Sequence, residues 1–117
     1  IQYTYVRTKS VLEKAGYLPK IEDVKIENLS DEYSMVILKL IYNFEDVLVQ
    51  VTDKNEPSIL ARYLIDLAKA YSSFYNENKI IVDDKDVQDA RVYLTYAVSQ
   101  VLKQGANLLG IEMPEKM

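Results

Sequence analysis

The sequence has no cysteine, no histidine and no tryptophan, and only three glycines and three prolines among its 117 residues. Without Cys there are no disulfides and no thiolate metal sites, which fits a reducing cytoplasm as the expected compartment. Without His the chain lacks the commonest general base, the usual zinc ligand and the middle member of most nucleophilic triads. Three glycines leave little room for a phosphate-cradling loop, and neither a Gly-x-Gly-x-x-Gly nor a Walker-type motif occurs. No apolar run approaches the ~20 residues of a membrane span, and no basic-then-apolar leader opens the chain, so no membrane partner is expected.

Apolar residues make up 49% and charged ones 27%, an ordinary balance for a globular chain. The length fits one domain, residues 1–117, able to hide roughly two-thirds of the surface its unfolded chain exposes. The start at Ile-Gln-Tyr, with no Met, suggests a fragment or a processed chain. Fourteen basic residues against 18 acidic ones give a net charge of −4. Overall charge therefore argues against non-specific nucleic-acid binding, and any such function must rest on where the cations are placed.

Helical periodicity dominates. Residues 2–15 read as a first helix stopped by Gly16, with Pro19 beyond it. Residues 17–29 form an ordered connector. Ser30 is the expected N-cap of a helix whose face carries Tyr33, Ile37, Leu40, Ile41 and Phe44. A short helix follows over about 45–52, then a loop ending at Pro57, a favoured first-turn residue. Leu60, Leu64, Leu67, Tyr71 and Phe74 recur at spacings of four, three, four and three, one continuous apolar stripe. Residues 79–82 are a short buried strap. Asp83, Asp84 and Asp86 crowd the start of a last long helix with Val87, Ala90, Leu94 and Val101 on its inner face. Gly105 is expected to stop it before a short turn carrying Leu108 and Leu109. The sum is an all-α fold, a single bundle of about five helices.

Asp83-Asp84-Lys85-Asp86 with Asp89 lacks the central Gly of a calcium loop and has an intruding Lys, so helix capping outweighs metal binding. Arg7-Thr8-Lys9-Ser10 superficially echoes an ATP-binding Lys-Met-Ser-Lys-Ser loop but lies within an amphipathic helix, without the mobile loop a phosphate cradle needs. Ten Tyr against two Phe is the unusual feature. Tyr33, Tyr63, Tyr71, Tyr93 and Tyr96 fall on or beside apolar stripes and read as packing. Tyr3, Tyr5 and Tyr75 fall near helix ends, close to Arg7 and Asn76. Unstacked bases are held by aromatic stacking and by hydrogen bonds to their edges, for which a ring beside an Arg or an amide is the minimal kit.

A series of motifs in fixed order carries a resemblance. Residues 60–68 (Leu-Ala-Arg-Tyr-Leu-Ile-Asp-Leu-Ala) and Ser73-Phe74-Tyr75-Asn76-Glu77 resemble the long helix of the C-terminal domain of arginyl-tRNA synthetases. Ala90-Arg91-Val92-Tyr93-Leu94 and residues 100–105 follow at the family's separations, and the tail from Leu108 to Met117 is similar to the family's end. Gln2-Tyr3-Thr4-Tyr5-Val6-Arg7 resembles the stretch that opens the domain. The likeness spans the chain and is weakest over residues 17–51. It departs from the family where Tyr5 replaces a His, Gln104 an Asn and Lys116 an Arg, the last losing a planar fork.

The resemblance implies an anticodon-binding domain of the DALR type that binds the anticodon stem-loop of arginine tRNA and reads its central cytosine. It implies Tyr3, Arg7, Tyr75 and the tail from Leu109 to Met117 as the RNA-binding residues, with Asn76 beside Tyr75 and Lys103 and Lys116 as candidate phosphate contacts. Ordinary solvated lysines are the competing reading of those last two. Arginylation, with its ATP and magnesium, falls to a catalytic domain in cis. That domain's His-Ile-Gly-His signature cannot exist in a chain without His. No cofactor is therefore expected within residues 1–117, the domain alone is expected to be inactive, and it is expected to be a monomer. A helical protein–protein adaptor, which the acidity favours, is the rival. A carboxylate-based enzyme lacks any paired-carboxylate motif.

Overall fold

Five stretches of helical periodicity become α-helices: α1 (Gln2–Ala15), α2 (Glu32–Tyr42), α3 (Phe44–Lys54), α4 (Pro57–Glu77) and α5 (Lys85–Leu108). The computed structural model describes residues 1–111 and 113–114. Among these the fold is the expected all-α bundle, with 3-10 turns at Ile21–Asp23 and Ile26–Asn28 in the connector. No described helix is long and apolar enough to cross a membrane.

Local chemistry sets most boundaries. Gly16 takes the left-handed conformation (φ 79°) and its N–H returns to the Leu12 carbonyl, ending α1. Pro57 opens α4, where a missing N–H costs nothing. Asp84 caps α5 by accepting from the Asp86 and Val87 amides, so one of the crowded aspartates does serve as the cap.

Several expectations are corrected. The N-cap of α2 is Asp31, one residue after Ser30; its carboxylate accepts from the Ser34 amide at 3.0 Å and the Ser34 hydroxyl at 2.6 Å. A charged acceptor reaching both Ser34 donors displaces the neutral hydroxyl of Ser30. Phe44 opens α3 instead of extending the α2 face, and stacks on Tyr63 with ring centroids 5.7 Å apart. Gly105 does not stop α5. The helix runs through it to Leu108, and the end comes at Gly110 (φ 78°). There the Gly110 amide donates to the Asn107 carbonyl and the Ile111 amide to that of Ala106, the paired bonds of a Schellman motif. Gly105 instead permits a close helix crossing: a Cβ there would lie 2.6 Å from Leu64 Cδ2.

The core lies between α4 and α5, with α1 packed mainly on α5, and α2 and α3 on α4. The α4 stripe is buried along its length from Leu60 to Phe74. Burial pushes the Tyr63 hydroxyl up to about 12, and it donates to the Leu40 carbonyl. A polar tie joins the connector after α1 to α5. Buried Asp89 accepts from the Tyr17 hydroxyl at 2.6 Å and from Lys85 at 3.1 Å; the Tyr17 hydrogen bond in particular holds its carboxyl below the usual range. The Asp31 carboxyl is also lowered: burial opposes ionisation, but the Ser34 hydroxyl and amide outweigh it.

Candidate nucleic-acid interface

Tyr3, Arg7 and Tyr75 come together on one face, although 68 positions separate the last two in the sequence. Tyr3 and Arg7 are four apart on α1, so they stack one above the other. Tyr75 reaches them from the last turn of α4. The Arg7 guanidinium carbon is 5.1 Å from the Tyr3 ring centroid and 4.6 Å from that of Tyr75. Each such contact is worth about 0.5–1 kcal/mol at an exposed site, enough to order a long side chain in place. The Arg7 Nη2 also donates to the Tyr3 hydroxyl at 3.4 Å.

The cluster is anchored from below. The Tyr75 ring packs on Tyr71 with centroids 6.4 Å apart, and the buried Tyr71 hydroxyl pairs with Thr95 Oγ1 of α5 at 3.0 Å. Burial raises the Tyr71 pKa, so this hydroxyl stays protonated and available to the pair. Polarity therefore grades outward, from enclosed Tyr71 through Tyr75 (39% exposed) to Tyr3 (64% exposed). Two apolar ring surfaces and a planar cation thus meet solvent together. That combination suits an unstacked base: rings offer stacking, while guanidinium N–H groups donate to base-edge or phosphate acceptors.

Two open grooves flank the cluster. One, of about 380 Å³, is lined by Tyr3, Arg7, Ser10, Val11, Lys14 and Tyr75 among others. The second, of about 550 Å³, continues past Val11, Lys14 and Tyr75 to Asn76 and the 77–81 segment. Arg91 holds that segment's backbone from α5, donating to the Lys79 carbonyl at 2.5 Å and to Asn78 Oδ1 at 3.3 Å. Asn78 in turn donates to the Phe74 carbonyl at 3.3 Å.

Of the residues singled out from the sequence, Tyr3, Arg7, Tyr75 and Asn76 share this face. Tyr5 does not: it is 2% exposed and belongs to the core, a correction to its grouping with Tyr3. A step of two along a helix turns the side chain to the opposite face. Lys103 is exposed near the end of α5 and lines neither groove, while Leu109 packs partly buried against the core. Lys116 and Met117 lie outside the described residues. Sequence reasoning missed Ser10 and Lys14. The signal was present: Tyr3, Arg7, Ser10 and Lys14 step by four, three and four along one helix face.

The helical bundle thus presents two tyrosines around an arginine beside two open grooves. The chain belongs to the DALR anticodon binding domain family, whose model matches residues 1–117. It is similar to arginine–tRNA ligases: 48% identical over 118 residues to that of Halothermothrix orenii and 39% over 117 residues to that of Alkaliphilus metalliredigens, in each case across 100% of this chain and 20% of the relative. Among solved structures it resembles the arginyl-tRNA synthetase of Thermus thermophilus, with a TM-score of 0.88 at 26% identity over 99% of this chain and 20% of that one. The synthetase of Plasmodium falciparum matches with a TM-score of 0.80 at 26% identity, over 98% of this chain and 20% of that one. The chain thus spans about a fifth of the length of the relatives it matches.

Proposed function

We propose that this domain binds the anticodon loop of arginine tRNA and presents that tRNA to the catalytic body of an arginyl-tRNA synthetase joined to it in cis. The observation that carries the reading is Arg7 held between the Tyr3 and Tyr75 rings. In this reading an unstacked cytosine packs on one of the rings, and Arg7 donates to the acceptors on its Watson–Crick edge. Asn76 supplies an amide close by, and Leu109, Met117, Lys103 and Lys116 remain further candidate contacts that the family resemblance implies. Arg7 and Lys14 on one face support the reading against an overall charge of −4, because local placement of cations matters more than the total. The ATP-dependent chemistry belongs to the catalytic body, since residues 1–117 contain no His for its signature.

The test is a titration of the 117-residue chain, at low salt, with arginine anticodon stem-loops carrying a central C or a changed base. Binding should favour the central C by about ten-fold, the scale of one lost base contact. Equal affinity for both loops, or none for either, would return the reading to a protein–protein adaptor.

A further inference from the structure

The two grooves are not separate sites. They share Val11, Lys14 and Tyr75, so Tyr75 forms a wall common to both and Lys14 stands at their seam. Lys14 is exposed, two helical turns from Arg7 and about 10 Å further along α1, too far for both cations to serve one anionic group closely. Beyond the seam, the larger groove has Asn76, Glu77 and exposed Lys79 among its lining, with buried Ile80 beside them. Glu77 there accepts hydrogen bonds from the amine or imino N–H of a base, and Asn76 adds an amide donor and acceptor, while the charge of Lys79 offsets that of the carboxylate. The larger groove therefore suits a base, and the cation beside it suits a backbone.

Resting on the anticodon reading above, we infer that this face takes two successive unstacked nucleotides of single-stranded RNA. One base packs on the Tyr3–Arg7–Tyr75 cluster and the next enters the groove of residues 76–81. Lys14 is a positioning residue that holds the phosphate between them. A phosphate contact fixes register without reading sequence, so Lys14 should control affinity and salt dependence while leaving base preference to Arg7 and the rings.

The experiment titrates the wild-type chain, Lys14→Ala and Lys14→Arg with an arginine anticodon stem-loop between 50 and 200 mM salt, taken roughly as the range over which counterion release is resolved. Each loop nucleotide is also replaced in turn by an abasic one. Lys14→Ala should lower the slope of log affinity against log salt by about 0.7, the value for one phosphate on a single strand. It should weaken low-salt binding by about two- to five-fold, while Lys14→Arg retains both. Preference for the central C and the melting temperature should stay unchanged, and two adjacent abasic positions should each weaken wild-type binding. An unchanged slope, or a single sensitive position, would overturn the inference while leaving the anticodon reading intact. Absence of any loop binding by the wild-type chain would overturn that reading as well.

Discussion

Replacing Gly105 by Ala sets two known effects against each other. In an exposed helix interior the change gains about 1 kcal/mol, because Ala loses less backbone freedom than Gly. Here the new methyl would lie 2.6 Å from Leu64 Cδ2, 2.9 Å from Cδ1 and 3.2 Å from Cγ. Carbon atoms prefer ~3.5–4.0 Å, so even the Leu64 branch point is too close, and rotating its methyls cannot relieve the contact. Leu64 is wholly enclosed, so the helices must part or the side chain must leave its rotamer, at a cost of about 1–3 kcal/mol. The balance is a net loss of about 1 kcal/mol, or roughly a 5 °C fall in melting temperature. Urea denaturation followed by circular dichroism, run as a double-mutant cycle with Leu64→Ala, separates the terms. Leu64→Ala alone should cost about 2–5 kcal/mol. In that background Gly105→Ala should stabilise by about 1 kcal/mol, a coupling near 2 kcal/mol. The same effect of Gly105→Ala in both backgrounds would refute the close-approach account.

Arg7→Lys keeps the charge but loses the planar fork, so stem-loop affinity should fall about ten-fold and preference for a central C should largely disappear, as titration would show. Its effect on melting temperature should be small, since Arg7 anchors no core. Stability should fall at both ends of the pH scale. Asp31 and Asp89 ionise more readily when folded, so their contribution is full above the usual carboxylate range and is lost as pH drops through their lowered values. Tyr63, pushed up to about 12, and Tyr71, also raised by burial, hold their protons longer when folded than when unfolded, so stability should fall as pH rises above about 10, by up to ~1.4 kcal/mol per pH unit for each. Chemical denaturation across pH checks both limbs, with Asp89→Asn flattening the acid one. Finally, the 117-residue chain should show no ATP–pyrophosphate exchange, and any exchange by the purified chain would place catalytic chemistry where none is expected.

The helices were legible because their signals are local. The Leu60-to-Phe74 stripe, Gly16 beyond the first helix and the aspartates before the last each act within a few residues of where they stand. Errors arose where a residue's role was set by a distant neighbour. Gly105 reads as a stop until Leu64, 41 positions earlier, is seen against it. Ser30 and Asp31 are both good caps, and reach to Ser34 decided between them. The cluster was half legible: Tyr3 and Arg7 follow from helix geometry, but their meeting with Tyr75 depends on how α1 lies across α4. Tyr5 was misjudged by its place in the chain, when its helix face puts it in the core.

The most direct test of the account is an NMR titration of the chain with an arginine anticodon stem-loop. The largest shifts should fall on Tyr3, Arg7, Lys14, Tyr75 and residues 76–81, and should weaken when the central C of the loop is changed. Shifts centred instead on the exposed apolar residues of α2 and α3, Met35, Val36, Tyr42 and Val49, and indifferent to the loop's sequence, would contradict it.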